Sequence, residues 1–276
     1  MNKPLQCGRF QLALDRPLIM GIVNLTDDSF SGDGLRGGAG NAIAQGLRMV
    51  EEGADILDLG AESSRPGAEP VSQQQEMDRL LPVIEGLRGC GVPLSVDTVK
   101  PGIMAAALAA GIDMINDIFA LQAPGAVEAV KASAAAVCLM HMQGEPRTMQ
   151  SDPRYGDVVA EVAAFLGARA AACTAAGIDK NRIVIDPGFG FGKTLAHNLA
   201  LLRHLDRLTA AGLPVLAGLS RKSMFGLITG RSVGDRMPAS IAAAMLAVQR
   251  GAAIVRVHDT AATRDALSVL KAIEDN

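Results

Sequence analysis

Leu18-Ile-Met-Gly-Ile-Val-Asn24 is an apolar run that ends in a polar side chain, and the same pattern recurs along the chain. Seven later runs also end in, or lead into, residues that can bind a ligand. They are Ile56–Leu59 with Asp58, Leu94–Val96 with Asp97, Met114–Ile115 with Asn116, Val137–Met140 with His141, Ile183–Ile185 with Asp186, Val215–Leu219 with Ser220 to Lys222, and Ile254–Val255 with Arg256 to His258. When parallel strands close into a barrel, their carboxyl ends share one rim, where the active sites of such barrels lie. The pattern therefore predicts a (β/α)8 TIM barrel with one polar pocket.

Helical periodicity separates these strands and predicts the outer ring of the barrel. The predicted helices lie near residues 40–52, 73–89, 101–110, 125–132, 157–176, 197–211, 235–250 and 261–274. Leu5 to Leu14 alternates around Gly8-Arg9, which predicts a short hairpin within residues 1–17 that plugs the barrel bottom. No change of composition divides the chain, so residues 1–276 are expected to form a single domain. The alternative is an open, doubly wound sheet with its ligand at a topological switch point.

Composition limits the partners that this chain can have. Aromatic residues make up 3% of it, so binding of nucleic acid through stacked bases is not expected. The net charge is −3, so an anionic substrate would need a local basic cluster. The four cysteines form no paired motif, and the sequence shows neither a signal peptide nor an apolar run of membrane-spanning length. These features favour a cytoplasmic protein with no membrane segment.

Three polar side chains at predicted strand ends suit one kind of ligand. Asp97, Asn116 and Asp186 each follow a buried run directly. Together, carboxylates and an amide can hydrogen-bond a flat heterocycle that has an amino-substituted, guanidine-like edge. The alternative is that one of them caps the next helix or pairs with Lys222 or Arg256, because a buried charge needs a partner.

Basic residues cluster after the seventh and eighth predicted strands, which is the usual phosphate-binding corner of these barrels. Lys222, Arg256 and His258 would supply the local positive charge, and residues two apart in a strand share a face. Arg65, in an earlier loop, offers a planar fork suited to phosphate oxygens. The alternatives are a surface role for Arg65 and a structural role for His258.

Two loops allow more than one interpretation. Asn24 opens a polar loop, and its side-chain carbonyl suits Mg²⁺, although a turn-forming Asn has the same pattern. Pro187 to Thr194 resembles a nucleotide P-loop, but proline stands at the first required glycine, so we reject an ATPase. The glycines instead predict that backbone approaches a ligand closely, with Phe189 or Phe191 shielding it.

Ten short stretches, spread along essentially the whole length of the chain, resemble the motifs of the dihydropteroate synthase family. They are Met20 to Thr26, Asp28 to Ser31, Glu62-Ser63, Arg65 to Gly67, Ser95 to Thr98, Ile115 to Asp117, Cys138 to Gly144, Asp186 to Lys193, Ser220 to Ser223 and Arg256 to Asp259. The resemblance implies an enzyme that joins 6-hydroxymethyl-7,8-dihydropterin diphosphate to p-aminobenzoate and releases pyrophosphate. It also implies Mg²⁺ as a cofactor and a homodimer as the assembly.

The resemblance also assigns a role to each matching residue. Asn24 would bind Mg²⁺. The residues that would hold the pterin are Asp97, Asn116, Asp186 and Lys222. The residues that would face the diphosphate are Ser64, Arg65, Arg256 and His258, with Val257 also counted as substrate-binding. The residues that would shape the p-aminobenzoate site are Phe30, Pro66, Lys222 and Ser223. We expect Lys222, Arg256, Asp97 and Asp186 to be catalytic.

The two loops that would enclose p-aminobenzoate depart from the family pattern. Asp27 stands where the family usually has proline, Asp33 is displaced by one position, and Ser64 replaces the usual threonine. A changed response to sulfonamides, which mimic p-aminobenzoate, is therefore a hypothesis. Two other functions stay open, namely a pterin-barrel methyltransferase that uses a corrinoid, and a pterin-binding protein without catalysis.

Overall fold

The N-terminal residues form a hairpin that closes one end of a barrel. A computed structural model describes residues 3–25, 34–62, 71–146 and 148–274. Strands β1 (Leu5–Cys7) and β2 (Phe10–Leu12) pair antiparallel. Leu5 and Cys7 pack among apolar residues of the barrel interior, and Arg9 forms an ion pair of 2.9 Å with buried Asp113. The prediction of a hairpin beneath the barrel is therefore confirmed.

Eight parallel strands form the barrel, and each pairs with the next along the chain until the last pairs with the first. They are β3 (Leu18–Asn24), β4 (Ile56–Gly60), β5 (Leu94–Asp97), β6 (Met114–Asp117), β7 (Ala136–Met140), β8 (Ile183–Asp186), β9 (Val215–Ala217) and β10 (Ala252–Val257). This closed ring confirms the (β/α)8 barrel. It also shows that the open, doubly wound alternative is wrong.

Strand alternation divides the barrel interior into an apolar floor and a polar mouth. Residues two apart in a strand face the same side. Ile56, Met114, Val184 and Ile254 belong to the apolar cluster inside the barrel. The residues two positions further along these strands are Asp58, Asn116, Asp186 and Arg256. Each polar side chain of the mouth therefore stands one step above a floor residue of its own strand.

Helices surround the barrel and cover its outward-facing side chains. They are α1 (Gly34–Glu51), α2 (Gln73–Leu87), α3 (Pro101–Ala109), α4 (Ala126–Lys131), α5 (Val158–Ala175), α6 (Leu195–Arg203), α7 (Asp206–Thr209), α8 (Ser223–Thr229), α9 (Met237–Val248) and α10 (Thr260–Glu274). Outward residues of the strands, such as Leu57, Val137 and Ile185, are fully or almost fully buried in the large core cluster that these helices complete.

The helices differ from the prediction at three places, each for a local reason. Helix α1 begins six residues before the predicted start at 40, because Gly37, Gly38 and Gly40 weaken the helical signal there. The helix predicted at 197–211 divides into α6 and α7, since His204 leaves the helical conformation at φ −115° and ψ 31°. Helix α8 was not predicted, because seven residues are too few for a periodic pattern.

Helix α5 corrects the expectation that no segment reaches membrane-spanning length. Within the described residues, it is the one helix whose 18 residues are long and apolar enough by that criterion. In the structure α5 lies against β7 and β8, with Val162, Leu166 and Cys173 buried on one face. Arg169 on this helix donates hydrogen bonds of 2.9 and 3.1 Å to carbonyls of the loop after β6.

Candidate active site

Arg256 is the central cation of the barrel mouth. Strand β10 places its guanidinium so that Nε donates to Asp58 Oδ2 at 2.6 Å and Nη2 donates to Asp97 Oδ2 at 3.0 Å. The fork of an arginine can serve two acceptors at once in this way. One side chain therefore ties the last strand of the barrel to β4 and β5.

Asp58 is the residue that the sequence interpretation missed. Its carboxylate is fully buried, and Oδ2 accepts a second hydrogen bond of 3.0 Å from Asn116 Nδ2. Asp58 lies inside the run Ile56–Leu59, whereas the residues with predicted roles follow their runs, so no role was predicted for Asp58. A signal was present, since a charge inside an apolar run must find a partner when the strand is buried.

Asp97 and Asn116 stand beside this ion pair at the ends of β5 and β6. Burial raises the pKa of Asp97 to about 7, with Arg256 opposing the shift and Asp58 adding to it. Paired with Arg256, the carboxylate of Asp97 accepts hydrogen bonds, while the amide of Asn116 can both donate and accept. This suits a heterocycle whose edge carries both N–H groups and bare nitrogens.

Asp186 faces the same space from the end of β8. Its Oδ1 accepts a 2.7 Å hydrogen bond from the backbone N–H of Gly188. Burial raises the pKa of Asp186, while that N–H and the charges of Lys222 and Arg256 oppose the shift. The structure therefore brings Asp97, Asp186, Lys222 and Arg256 together at one end of the barrel.

The loop after β9 aims Lys222 at this space and turns Arg221 away from it. Arg221 adopts a left-handed conformation, with φ 56°, and its guanidinium pairs with Asp259. The ammonium of Lys222 lies 4.3 Å from the ring centroid of Phe191. Ser223 is exposed and begins helix α8 directly after Lys222.

The end of β10 places its last predicted site residues on different sides. His258 is partly buried, and its Nδ1 lies 3.0 Å from Ser220 Oγ. The side chain of Val257 packs instead in a cluster with Ile19, Leu267 and Leu270, outside the barrel. Neighbouring residues in a strand face opposite sides, so any contact of Val257 with a substrate would come from its backbone. Only its backbone remains near the mouth.

The remaining predicted site residues divide into one that is placed and four that are not. Asn24 ends β3, is partly buried and pairs in register with Gly60. Four predicted site residues, namely Phe30, Ser64, Arg65 and Pro66, lie in the two loops outside the described residues. The departures from the family pattern at Asp27, Asp33 and Ser64 lie there as well.

Fold and geometry together define a class of protein, namely a barrel enzyme whose mouth suits a small heterocycle that carries negative charge. The family model described as "Pterin binding enzyme" matches residues 20–258. The dihydropteroate synthase of Neisseria meningitidis serogroup B is 54% identical over 278 residues, with 98% of each chain covered. The chain belongs to the pterin-binding enzyme family and, within it, to the dihydropteroate synthases.

Two solved structures are similar over nearly the whole chain. Dihydropteroate synthase from Xanthomonas albilineans, solved with 4-aminobenzoic acid, has a TM-score of 0.94 and 53% identity, and 99% of each chain is covered. The Burkholderia cenocepacia enzyme, complexed with 7,8-dihydropteroate, has a TM-score of 0.91 and 51% identity, with 99% of this chain and 97% of that one covered.

The contacts of Asp58 generate a first prediction. Asp58→Asn should weaken the binding of a pterin at least about 10-fold. The substitution removes the negative charge of Asp58 and so weakens the hydrogen bonds that hold Arg256 and Asn116 in place. Titration calorimetry with a pterin measures this effect. Asp265→Asn, at an exposed position of α10, is the matched control and should leave the Kd unchanged. Equal pterin affinity of folded Asp58→Asn and wild type would contradict the role given to Asp58.

Proposed function

We propose that this chain joins 6-hydroxymethyl-7,8-dihydropterin diphosphate to p-aminobenzoate, which gives 7,8-dihydropteroate and pyrophosphate for folate biosynthesis (EC 2.5.1.15). The observation that carries the proposal is the convergence of Asp97, Asn116 and Asp186 with Lys222 and Arg256 in one mouth. The relatives at more than 50% identity support the same reaction, since one contains 4-aminobenzoic acid and another contains 7,8-dihydropteroate.

The pterin fits the acidic side of the mouth. Carboxylate oxygens of Asp186 and Asp97 can accept hydrogen bonds from the amino and ring N–H groups of the pterin, and Asn116 can both donate and accept. Asp58 lies beneath them and holds the amide of Asn116 in one orientation. The ring would therefore lie with its polar edge toward β5, β6 and β8.

The diphosphate fits the basic side, near Arg256 and His258. The bond that breaks joins the pterin methylene carbon to a diphosphate oxygen, and that oxygen keeps the electron pair. Preorganised cations stabilise charge where it develops, and removal of one such group typically costs about 10²–10³-fold in rate. Lys222 and Arg256 are in position for this, and Arg65 and Ser64 are assigned to it by motif.

The order of steps that we propose is departure of the diphosphate before attack by the amine. The methylene carbon then carries positive charge that the pterin ring shares, and the carboxylates of Asp97 and Asp186 can stabilise it. The aryl amine is neutral at pH 7 and forms the new C–N bond with its lone pair, after which it loses one proton. Lys222 and Ser223 flank the entrance where its carboxylate would sit, with Phe30 and Pro66 assigned there by motif.

Mg²⁺ suits this site if it takes most of its oxygen ligands from substrate and water. Within the ranges that the structure describes, no group of three or more His, Cys, Asp or Glu side chains could hold a metal ion. The amide oxygen of Asn24 is a hard donor at the strand end, and Mg²⁺ commonly uses one or two protein ligands plus phosphates. When bound, the ion would act as a Lewis acid on the diphosphate oxygens.

The rival functions explain fewer of these residues. A corrinoid-dependent methyltransferase would have no diphosphate for Lys222 and Arg256 to neutralise. A non-catalytic pterin-binding protein would bind the pterin but release no pyrophosphate. Release of pyrophosphate on addition of both substrates and Mg²⁺ therefore separates the synthase from both rivals.

Two variants test the catalytic assignment in that assay. Lys222→Ala and Asp186→Asn should each lower kcat/KM at least about 100-fold, because each removes an interaction that strengthens in the transition state. Wild-type activity should fall when EDTA removes divalent cations and return when Mg²⁺ is added. Lys131→Ala, at an exposed position of α4, is the control and should keep full activity. Near wild-type kinetics of the two site variants would overturn the assignment.

We also propose that the chain acts in the cytoplasm as a homodimer. The four cysteines, Cys7, Cys90, Cys138 and Cys173, are free thiols, as is usual in a reducing compartment. Helix α8 contacts both α6 and α9. This part of the chain exposes large apolar side chains, namely Leu199, Leu227, Ile228, Val233, Met237 and Leu246. Clustered apolar side chains on a surface are typical of a protein–protein interface.

The homodimer gives a prediction of its own. Leu227→Glu should raise the dimer dissociation constant at least about 10-fold, because Leu227, at 71% exposed, is the most exposed of these side chains and would be buried by the second copy. Sedimentation velocity should give the wild type about twice the chain mass of 28.6 kDa. Ile273→Glu, on α10 and 69% exposed, should not change it. A monomeric wild type, or a variant that dimerises as well as wild type, would refute the interface.

A further inference from the structure

Lys193 is a buried lysine between two loops of the mouth, and the reaction described above does not use it. Its side chain is 3% exposed. The ammonium lies 2.9 Å from His141 Nδ1, 2.9 Å from the carbonyl oxygen of Phe191 and 3.3 Å from the carbonyl oxygen of His141. An ammonium has three N–H donors, and each one finds an acceptor here.

Burial shifts the pKa of both groups, and the shift leaves His141 free to accept. Burial lowers the pKa of His141 to about 3, and the charge of Lys193 lowers it further, so the imidazole is neutral and Nδ1 can accept. Burial lowers the pKa of Lys193 to about 7, with the charge of Asp186 opposing the shift and that of Lys222 adding to it. The ammonium therefore has defined acceptors on two separate loops.

These hydrogen bonds join the glycine-rich loop 187–193 to the end of β7. The two backbones pack closely, since a Cβ at Gly188 would lie 1.9 Å from the carbonyl oxygen of His141, and one at Gly192 would lie 2.3 Å from that of Gln143. Tyr155 adds a 2.9 Å hydrogen bond from its hydroxyl to the carbonyl of Gly192. The loop has little freedom to slide while these contacts persist.

Phe191 lies between Lys193 and the mouth. Its carbonyl accepts from Lys193, while its ring packs with Ile118, Met140 and Met149 and lies 4.3 Å from the ammonium of Lys222. A cation over an aromatic face is stabilised by the electrons of the ring, so displacement of the ring would change the position of Lys222. Lys193 thus acts on the mouth through the backbone and ring of a single residue.

We propose that Lys193 is a positioning residue for the p-aminobenzoate half of the site, because it fixes the Phe191 ring on which Lys222 rests. This inference rests on the proposed function. Lys193 itself has no contact with the reacting atoms. Its loss should therefore affect binding of the amine substrate more than binding of the pterin, because three of the four residues assigned to the pterin, Asp97, Asn116 and Asp186, do not rest on Phe191.

Lys193→Met is the main test, since methionine keeps the length of the side chain and removes all three donors. The KM for p-aminobenzoate should rise about 10-fold, in line with the strength of the contact that it disturbs. The Kd for the pterin, measured by calorimetry without p-aminobenzoate, should change less than about 3-fold. Lys131→Met on the exposed face of α4 is the matched control and should change neither value. An unchanged KM in a folded Lys193→Met variant would overturn the proposal.

A double-mutant cycle with Phe191→Leu separates positioning from a general loss of stability. If Lys193 acts through Phe191, then Lys193→Met should add less than about 3-fold to the KM of the Phe191→Leu variant, since coupled residues are not additive. If the two substitutions together raise the KM for p-aminobenzoate by the product of their separate effects, the proposal would be overturned. Phe191→Leu alone should already raise the KM for p-aminobenzoate, and an unchanged value would overturn it whether or not Lys193→Met folds. Failure of the wild type to release pyrophosphate would instead overturn the proposed function.

Discussion

The ion pairs of Arg256 with Asp58 and Asp97 are the interaction on which the mouth depends. They join β10 to β4 and β5 across the barrel mouth, although the backbone of β10 pairs with neither strand. Loss of one partner of a buried pair leaves a charge without compensation and typically costs about 3–5 kcal/mol. Asp58 is fully buried, whereas the side chain of Arg256 is 21% exposed, so the arginine keeps access to a ligand while its anchor does not.

A division of charge follows from this arrangement. Carboxylates and an amide lie at the ends of β5, β6 and β8, and cations lie at the ends of β9 and β10. The chain has a net charge of −3, so a local basic cluster is what gives an anionic diphosphate a place to bind. The apolar floor beneath excludes water, which strengthens the electrostatic interactions above it. One end of the barrel can therefore hold a pterin and its leaving group together.

Much of this could be predicted from the sequence, because strand alternation is a local property. The strand ends at Asn116, Asp186 and Arg256 follow from apolar runs alone. Alternation also predicts that the side chain of Val257 faces outward and that of Asp58 faces inward, although the roles of residues were assigned by motif. The network of Lys193 could not be predicted, since it depends on how two loops distant in sequence pack. Neither could helix α8, which is too short to show periodicity, nor the geometry at Phe30 and Arg65, which lie outside the described residues.

The central claim is that a single mouth holds the pterin on its acidic side and the phosphates on its basic side. A crystal structure of the protein with a pterin, pyrophosphate and Mg²⁺ tests it most directly. The account predicts density for the pterin edge within hydrogen-bond distance of Asp97, Asn116 and Asp186, and density for pyrophosphate beside Arg256 and His258. A pterin bound away from these three residues, or a pyrophosphate bound outside the mouth, would contradict it.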